Sequence, residues 1–238
     1  MQTTITQFDL LIGGKVVPAS NGEYFGALNP SNNKIFAQIA NGSLKDAKNA
    51  VKAAREAFDK GVWPTMTLAE RGIYLKKIAQ GIRKAAKELA EIESLDTGKT
   101  LKQSTFIDVP TCADTFDYFS RMSDKVMVKD VAIDAPVKGT LYREPYGVVV
   151  AIIPWNYPLI MAAWKIAPAI MAGNTVVFKP ASVASASILM LGKIIQESGL
   201  PEGVVNILTT SHHDVGSALI DDDDVDLISF TGGSETDA

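Results

Sequence analysis

The hydrophobic pattern is most regular between residues 147 and 230, where short apolar runs alternate with longer stretches of helical periodicity. The runs have the length of buried strands, and the stretches between them place apolar residues three and four positions apart. Helical crossovers of this kind connect parallel strands. The pattern therefore predicts an α/β fold with a Rossmann-type parallel sheet of about four strands and helices on both faces. The expected strands are 148–153, 175–178, 204–208 and 225–230, and the expected helices are 159–171, 184–198 and 214–220.

Upstream of this region the pattern predicts short strands followed by three helices. The first forty residues combine short apolar runs with glycine and asparagine turns. Ser43 with Asp46, and Thr67 with Glu70, have the spacing of capping boxes at helix N-termini. The second helix is expected to run as far as a C-cap at Gly98, and the third to span about 104–123, with Phe116 and Phe119 packed inward.

Between residues 125 and 146 the pattern changes to alternating β-type residues, which indicates a hairpin that leaves the main body. We therefore expect a dinucleotide-binding domain formed by 1–124 and 147–238, incomplete at its C-terminal end, and a protruding hairpin at 125–146. The expected role of this hairpin is oligomerisation.

Composition narrows the classes of protein that the chain can belong to. The 238 residues carry a net charge of −4 and are 47% hydrophobic, as in a globular protein. The acidic balance, with a pI near 5.3, argues against a nucleic-acid partner. One cysteine and two histidines give no basis for a disulfide framework or a metal site. The N-terminus lacks the pattern of a signal peptide, so we expect a cytoplasmic protein.

One segment is long and apolar enough to raise a membrane alternative. From Gly147 to Phe178 the only charged residue is Lys165. Three prolines and the pair Gly173-Asn174 interrupt the segment, so a strand, a helix and a second strand explain it better than a membrane span.

Polar residues follow each expected strand, at the edge of the sheet where open α/β folds bind ligands. They are Trp155-Asn156-Tyr157, Lys179 to Ser182, Thr209 to Ser211 and Thr231 to Gly233. Helix N-termini at this edge favour phosphate, although the chain contains no GxGxxG motif and no P-loop. These residues alone predict a nucleotide-type site and nothing more specific.

Several sequence blocks carry a resemblance to a known family. The chain resembles the N-terminal, cofactor-domain half of the NAD(P)-dependent aldehyde dehydrogenase superfamily from about residue 8 to 236. The blocks are Ile152-Ile-Pro-Trp-Asn-Tyr-Pro-Leu159, Ala163-Trp-Lys-Ile-Ala-Pro-Ala169, Gly173-Asn-Thr-Val-Val-Phe-Lys-Pro180, Gly199-Leu-Pro-Glu-Gly-Val-Val-Asn206, Phe230-Thr-Gly-Gly233, Asn29-Pro30, Leu95-Asp-Thr-Gly-Lys99 and Glu144-Pro-Tyr-Gly147.

The resemblance implies oxidation of an aldehyde to a carboxylic acid with NAD(P)⁺ through a cysteine thiohemiacetal. The family's nucleophilic cysteine and general-base glutamate lie in blocks that this chain does not contain. We therefore expect the chain alone to be inactive, and the alternative function is a catalytically inactive dinucleotide-binding or protein-interaction fragment. Cys112 has no basic neighbour in the sequence, so we expect it to be a buried structural thiol.

The resemblance also assigns residues to roles. Asn156 matches the oxyanion donor, for which the alternative is a turn asparagine that bonds to local backbone. The residues expected to bind the cofactor are Ile152, Ile153, Pro154, Trp155, Lys179, Ser182, Gly232 and Gly233. The residues expected to line a substrate tunnel are Tyr157, Ile160, Met161 and Trp164, for which the alternative is a core stripe of one helix.

Three expectations about ligands and partners follow from the resemblance. Ser182 stands where many NAD-preferring members have a glutamate, so the cofactor is NAD or NADP, with NADP tolerated. Ser182 could equally cap the helix that follows it. An apolar or aromatic aldehyde is the expected substrate. The chain is expected to form a homo-oligomer or to associate through an exposed sheet edge.

Overall fold

The computed structural model describes residues 6–122, 126–134 and 136–233. Its strands are β1 (Thr6–Phe8), β2 (Leu10–Ile12), β3 (Lys15–Val17), β4 (Tyr24–Asn29), β5 (Lys34–Ala40), β6 (Val128–Val131), β7 (Gly139–Tyr142), β8 (Val148–Ile152), β9 (Thr175–Lys179), β10 (Val205–Ile207) and β11 (Leu227–Phe230). Its α-helices are α1 (Leu44–Asp59), α2 (Leu68–Lys84), α3 (Ala86–Thr97), α4 (Leu101–Gln103), α5 (Val109–Phe119), α6 (Pro158–Met171), α7 (Ala186–Glu197) and α8 (His213–Ile220).

The central sheet contains the parallel sheet that the sequence predicts. Its strand order is β11-β8-β9-β10-β2-β3, and β11, β8, β9 and β10 are parallel. The residues Val148 to Ala151 of β8 are buried, as expected for a strand covered by helices on both faces. The N-terminal strands β2 and β3 extend the sheet to six strands by antiparallel pairing, which the sequence pattern did not predict.

The remaining strands form two smaller sheets. Strand β5 pairs with β1 and β4 in a three-stranded sheet at the N-terminal end of the chain. Strands β6 and β7 form an antiparallel hairpin, and all four residues of β6 are exposed. The predicted hairpin therefore exists, although positions 125 and 135 of the predicted range lie outside the described residues.

The capping boxes at Ser43 and Thr67 form as predicted, whereas two helix predictions were wrong in their extent. The helix expected from Thr67 to Gly98 is divided at Ala85, which has φ −91° and ψ 12°, into α2 and α3. The helix expected from 104 begins at Leu101 and passes through a π-helical segment, Ser104–Asp108. Gly98 ends α3 in the left-handed conformation, φ 76°, as predicted.

One edge of the central sheet is open among the described residues. Strand β11 forms one edge of the central sheet, and Leu227 and Ile228 on it are 37% and 42% exposed. The predicted exposed sheet edge is therefore present.

Among the helices of the described residues, none combines the length and apolar character needed to cross a membrane.

Candidate active site

A cleft of about 250 Å³ lies at the carboxyl edge of the parallel sheet. Its walls come from the ends of β8, β9 and β11, the loop after β10, and α8. This is the edge where an open α/β sheet presents loops and helix N-termini to a ligand. The lining residues are Ile152, Lys179, Ser182, Thr210, Ser211, His212, His213, Gly216, Ser217, Ile220 and Phe230.

Lys179 contributes the cationic group of this cleft. It is the last residue of β9, and its stem runs beside Gly216 of α8, where an added Cβ would lie 3.5 Å from Lys179 Cε. Burial lowers the pKa of Lys179 from its ordinary value. Within the part of the chain that the structure describes, its ammonium has no hydrogen-bond or ion-pair partner. A hydroxyl or phosphate oxygen of a ligand would supply the missing acceptor.

The loop after β10 is held in place by Asn41, at the end of β5. The Asn41 side-chain oxygen accepts hydrogen bonds from the Ser211 amide at 2.8 Å and the Ser211 hydroxyl at 3.1 Å. The Asn41 amide nitrogen lies 3.1 Å from His212 Nε2. His212 and His213 are exposed at the start of α8, as expected from the sequence. The sequence did not predict that these histidines line the cleft. The contact that positions their loop, with Asn41 at the end of β5, forms only in the folded chain.

The residues predicted to bind the cofactor divide into three groups. Ile152, Lys179 and Ser182 line the cleft. Trp155 is 58% exposed and lines a separate cavity of about 400 Å³, which Ser182 also reaches. The rest follow β8 or β11 without lining the cleft, and these are Ile153, Pro154, Gly232 and Gly233.

The turn between β8 and α6 presents Asn156 and Tyr157. Asn156 is exposed, and its side chain has no hydrogen-bond partner among the described residues, so it is not the backbone-bonded turn asparagine of the alternative reading. Tyr157 is 38% exposed and immediately precedes Pro158, the first residue of α6. A free amide donor therefore stands at the carboxyl end of β8, beside an exposed aromatic ring.

The apolar stripe on α6 combines core and surface positions. Ile160 is buried and Met161 is partly buried against the core, whereas Trp164 is 55% exposed. Trp164 lies beside Tyr118 and Phe119 of α5 in a shallow cavity. Ile160 and Met161 thus contact the core, whereas the two aromatic side chains of the stripe, Tyr157 and Trp164, are exposed.

Lys165, whose direction the sequence left open, points to the edge of the sheet. Its ammonium donates to the carbonyl of Ser229 at 3.0 Å and to the Ser229 hydroxyl at 2.8 Å. Burial lowers the pKa of Lys165. The contact joins α6 to β11 on the wall of an apolar cavity of about 650 Å³.

Two buried carboxylates of α3 lie at the N-termini of α6 and α7, which make no capping bonds through their own N-cap side chains. Asp96 accepts a hydrogen bond from the Ala186 amide at 2.7 Å, and Glu93 accepts one from the Ser187 hydroxyl at 2.6 Å. Burial raises the pKa of Asp96 to about 7 and also raises that of Glu93. These long-range caps fix the start of the two helices that follow the Asn156 and Ser182 turns.

Cys112 is fully buried in α5, as predicted. Burial raises the pKa of its thiol far above the ordinary value, and the nearby Glu93 carboxylate adds to this shift. Since the thiolate is the nucleophilic form, Cys112 cannot act as a catalytic nucleophile in this fold.

Comparisons with known proteins agree on one family. Residues 16–238 match the model of the aldehyde dehydrogenase family. Betaine aldehyde dehydrogenase of Bacillus subtilis is 43% identical over 95% of this chain, and benzaldehyde dehydrogenase of Antirrhinum majus is 39% identical over 97%. An NAD⁺ complex of an aldehyde dehydrogenase from Bacillus cereus superposes with a TM-score of 0.92 at 35% identity over 97% of this chain.

The chain spans about half the length of these relatives. It covers 46% of the Bacillus subtilis protein, 43% of the Antirrhinum majus protein and 47% of the Bacillus cereus chain.

Proposed function

Because the chain belongs to the aldehyde dehydrogenase family, we propose that it forms the dinucleotide-binding part of an enzyme that oxidises aldehydes to carboxylic acids with NAD(P)⁺. The observation that carries the proposal is the ammonium of Lys179, which has no partner among the described residues and lies in the cleft at the carboxyl edge of the parallel sheet. An unpaired, partly buried cation at this position calls for an oxygen acceptor from a ligand.

The residues of the cleft fit the adenosine end of a dinucleotide. Lys179 would donate to a ribose hydroxyl, and the hydroxyl of Ser182 would share the same ribose. Ile152 and Phe230 supply apolar walls, while Thr210 and Ser211 supply hydroxyls near the first turn of α8. The dinucleotide, when bound, supplies the hydride acceptor of the reaction.

Asn156 is the residue that we propose to act on the substrate. Its side-chain NH₂ would donate to the oxygen of the aldehyde as negative charge develops on it during nucleophilic attack. A donor that is already free of other bonds needs no rearrangement to take this role. Tyr157 and Trp164 would contact the apolar or aromatic part of the aldehyde.

The nucleophile and the general base are proposed to come from residues outside this chain, because its single cysteine is buried. We expect no aldehyde-dependent formation of NADH or NADPH by the 238-residue chain alone. A chimera in which residues 1–238 replace the matching half of Bacillus subtilis betaine aldehyde dehydrogenase is expected to be active with at least one neutral aldehyde. Turnover by the chain alone, or a folded chimera without turnover on any aldehyde, would contradict the proposal.

The cofactor preference is expected to depend on Ser182. A serine does not repel a 2′-phosphate as a carboxylate would, so the chain should bind NADP⁺ at least as well as NAD⁺. Ser182→Glu should weaken NADP⁺ binding by about tenfold or more and change NAD⁺ binding much less, because the new repulsion acts only on the extra phosphate. Ser182→Gln is the uncharged control in parallel titrations. A parent chain that binds NAD⁺ tenfold more tightly than NADP⁺ would contradict this prediction.

We further propose that the β6–β7 hairpin and the edge strand β11 mediate association of the protein with copies of itself, in the reducing cytoplasm. The exposed residues of β6 and the open edge of β11 support this role.

A further inference from the structure

Lys99 is a largely buried cation at the meeting point of α3 and the π-helical segment. Only 12% of its side chain is exposed. Its ammonium lies 2.9 Å from Asp108 Oδ2 and 3.7 Å from Glu93 Oε1, and both carboxylates are fully buried. Buried charges persist only when they are paired, so the three side chains hold one another in place.

The third contact of Lys99 is with an aromatic ring of the candidate site. The ammonium lies 4.0 Å from the centroid of the Tyr157 ring. At this distance the cation is attracted to the negative face of the ring, and burial of the ammonium strengthens the attraction. The Tyr157 side chain makes no capping hydrogen bond at the start of α6. Its ring is held instead by the cation–π contact with Lys99.

Glu93 connects the same cluster to the other side of the turn. Its carboxylate accepts a hydrogen bond from the Ser187 hydroxyl at 2.6 Å, and the backbone amide of Leu159, in the first turn of α6, lowers its pKa against the larger effect of burial. The cluster therefore contacts Tyr157, the residue directly after Asn156, and joins it to the start of α7. The Asn156 side chain makes no hydrogen bond with the described residues that would fix it, so its position depends on these neighbours.

We propose that Lys99 is a positioning residue for the Asn156–Tyr157 turn, acting through the Tyr157 ring while Glu93 and Asp108 hold its ammonium. Removing the cation would free the ring, and the Asn156 amide would then sample several orientations. The consequence for catalysis rests on the proposed function of Asn156, whereas the ordering of the turn by Lys99 does not.

The test is amide-proton exchange of the 238-residue chain, followed by mass spectrometry of the peptides that cover 154–162. Lys99→Met removes the charge and keeps the apolar stem. Because it leaves two buried carboxylates unpaired, it is also made together with Asp108→Asn, which restores the charge balance of the cluster. Lys77→Met is the matched control, since Lys77 is an exposed lysine whose ammonium lies 5.4 Å from the ring of Tyr74.

Both Lys99→Met and the double variant should exchange at 154–162 roughly tenfold faster than the parent chain, with other peptides of α6 unchanged. Lys99→Arg, which keeps a cation, should restore most of the protection, and Lys77→Met should have no effect at 154–162. The proposal is overturned if the double variant exchanges like the parent, since the cluster would then serve only charge balance. It is also overturned if exchange increases uniformly along the chain. Neither result depends on whether the protein oxidises aldehydes.

Discussion

Asn156→Ala is expected to lower kcat of the chimera by about 10²–10³-fold, the loss typical of removing one oxyanion donor. The amide would act on charge that develops during the reaction, so the loss should appear in kcat more than in the KM for the dinucleotide. The thermal midpoint should not change, because Asn156 is exposed and its side chain makes no hydrogen bond with the residues that the structure describes.

Asn49→Ala is the matched control for this substitution. Asn49 is also exposed, lies on α1, and is not among the residues that line the cleft. It should leave kcat and KM unchanged. A chimera with Asn156→Ala that retains more than a tenth of the parent kcat would show that Asn156 does not stabilise the oxyanion.

The parent chain is expected to lose about 2–4 kcal/mol of its free energy of unfolding between pH 4.5 and 7.5 through Asp96, and Asp96→Asn is expected to remove this loss. The pKa of Asp96 is raised to about 7 in the folded chain from the ordinary value of 3.8. In this window the folded state therefore holds a proton that the unfolded state has released, so the free energy of unfolding falls as the pH rises. Asparagine cannot ionise, and its oxygen can still accept the hydrogen bond from the Ala186 amide.

The measurement is urea unfolding of the parent chain and the variant across this pH range. The variant should gain stability relative to the parent as the pH rises, and below about pH 4 the difference should become constant. Asp223→Asn, at an exposed position in the run of four aspartates at 221–224, is the control for a change of one carboxylate. A difference between parent and Asp96→Asn that does not vary with pH would contradict the burial-induced shift.

The parallel sheet could be predicted from the sequence because its strands are buried on both faces and are therefore almost uniformly apolar. The runs that became β8 and β9 gave this signal directly. The pairing of β2 with β10 could not be predicted, since a three-residue strand contains no information about its partner. The break at Ala85 was missed for a related reason: the residues around it favour a helix, so no local signal marks the end of α2.

In the candidate site too, the residues next to a predicted strand could be placed from the sequence, and those with partners distant in the sequence could not. Lys179 and Ser182 could be placed at the cleft because they directly follow an apolar strand. Asn41 and Glu93 act across large sequence separations, and no local pattern marks them. Lys99 lies in the block Leu95-Asp-Thr-Gly-Lys99, which resembles the family, but its contact with Tyr157 forms only in the folded chain.

The most direct test of the central claim is calorimetric titration of the 238-residue chain with NAD⁺ and NADP⁺, for the parent and for Lys179→Met. We expect one dinucleotide to bind per chain and the Lys179→Met substitution to weaken binding by about 10–100-fold, as for the loss of a hydrogen bond from a charged donor. The thermal midpoint of Lys179→Met should not fall, because the substitution removes a partly buried ammonium that has no partner in the described protein. A folded parent chain that binds neither dinucleotide, or a Lys179→Met variant that binds as tightly as the parent, would contradict the account.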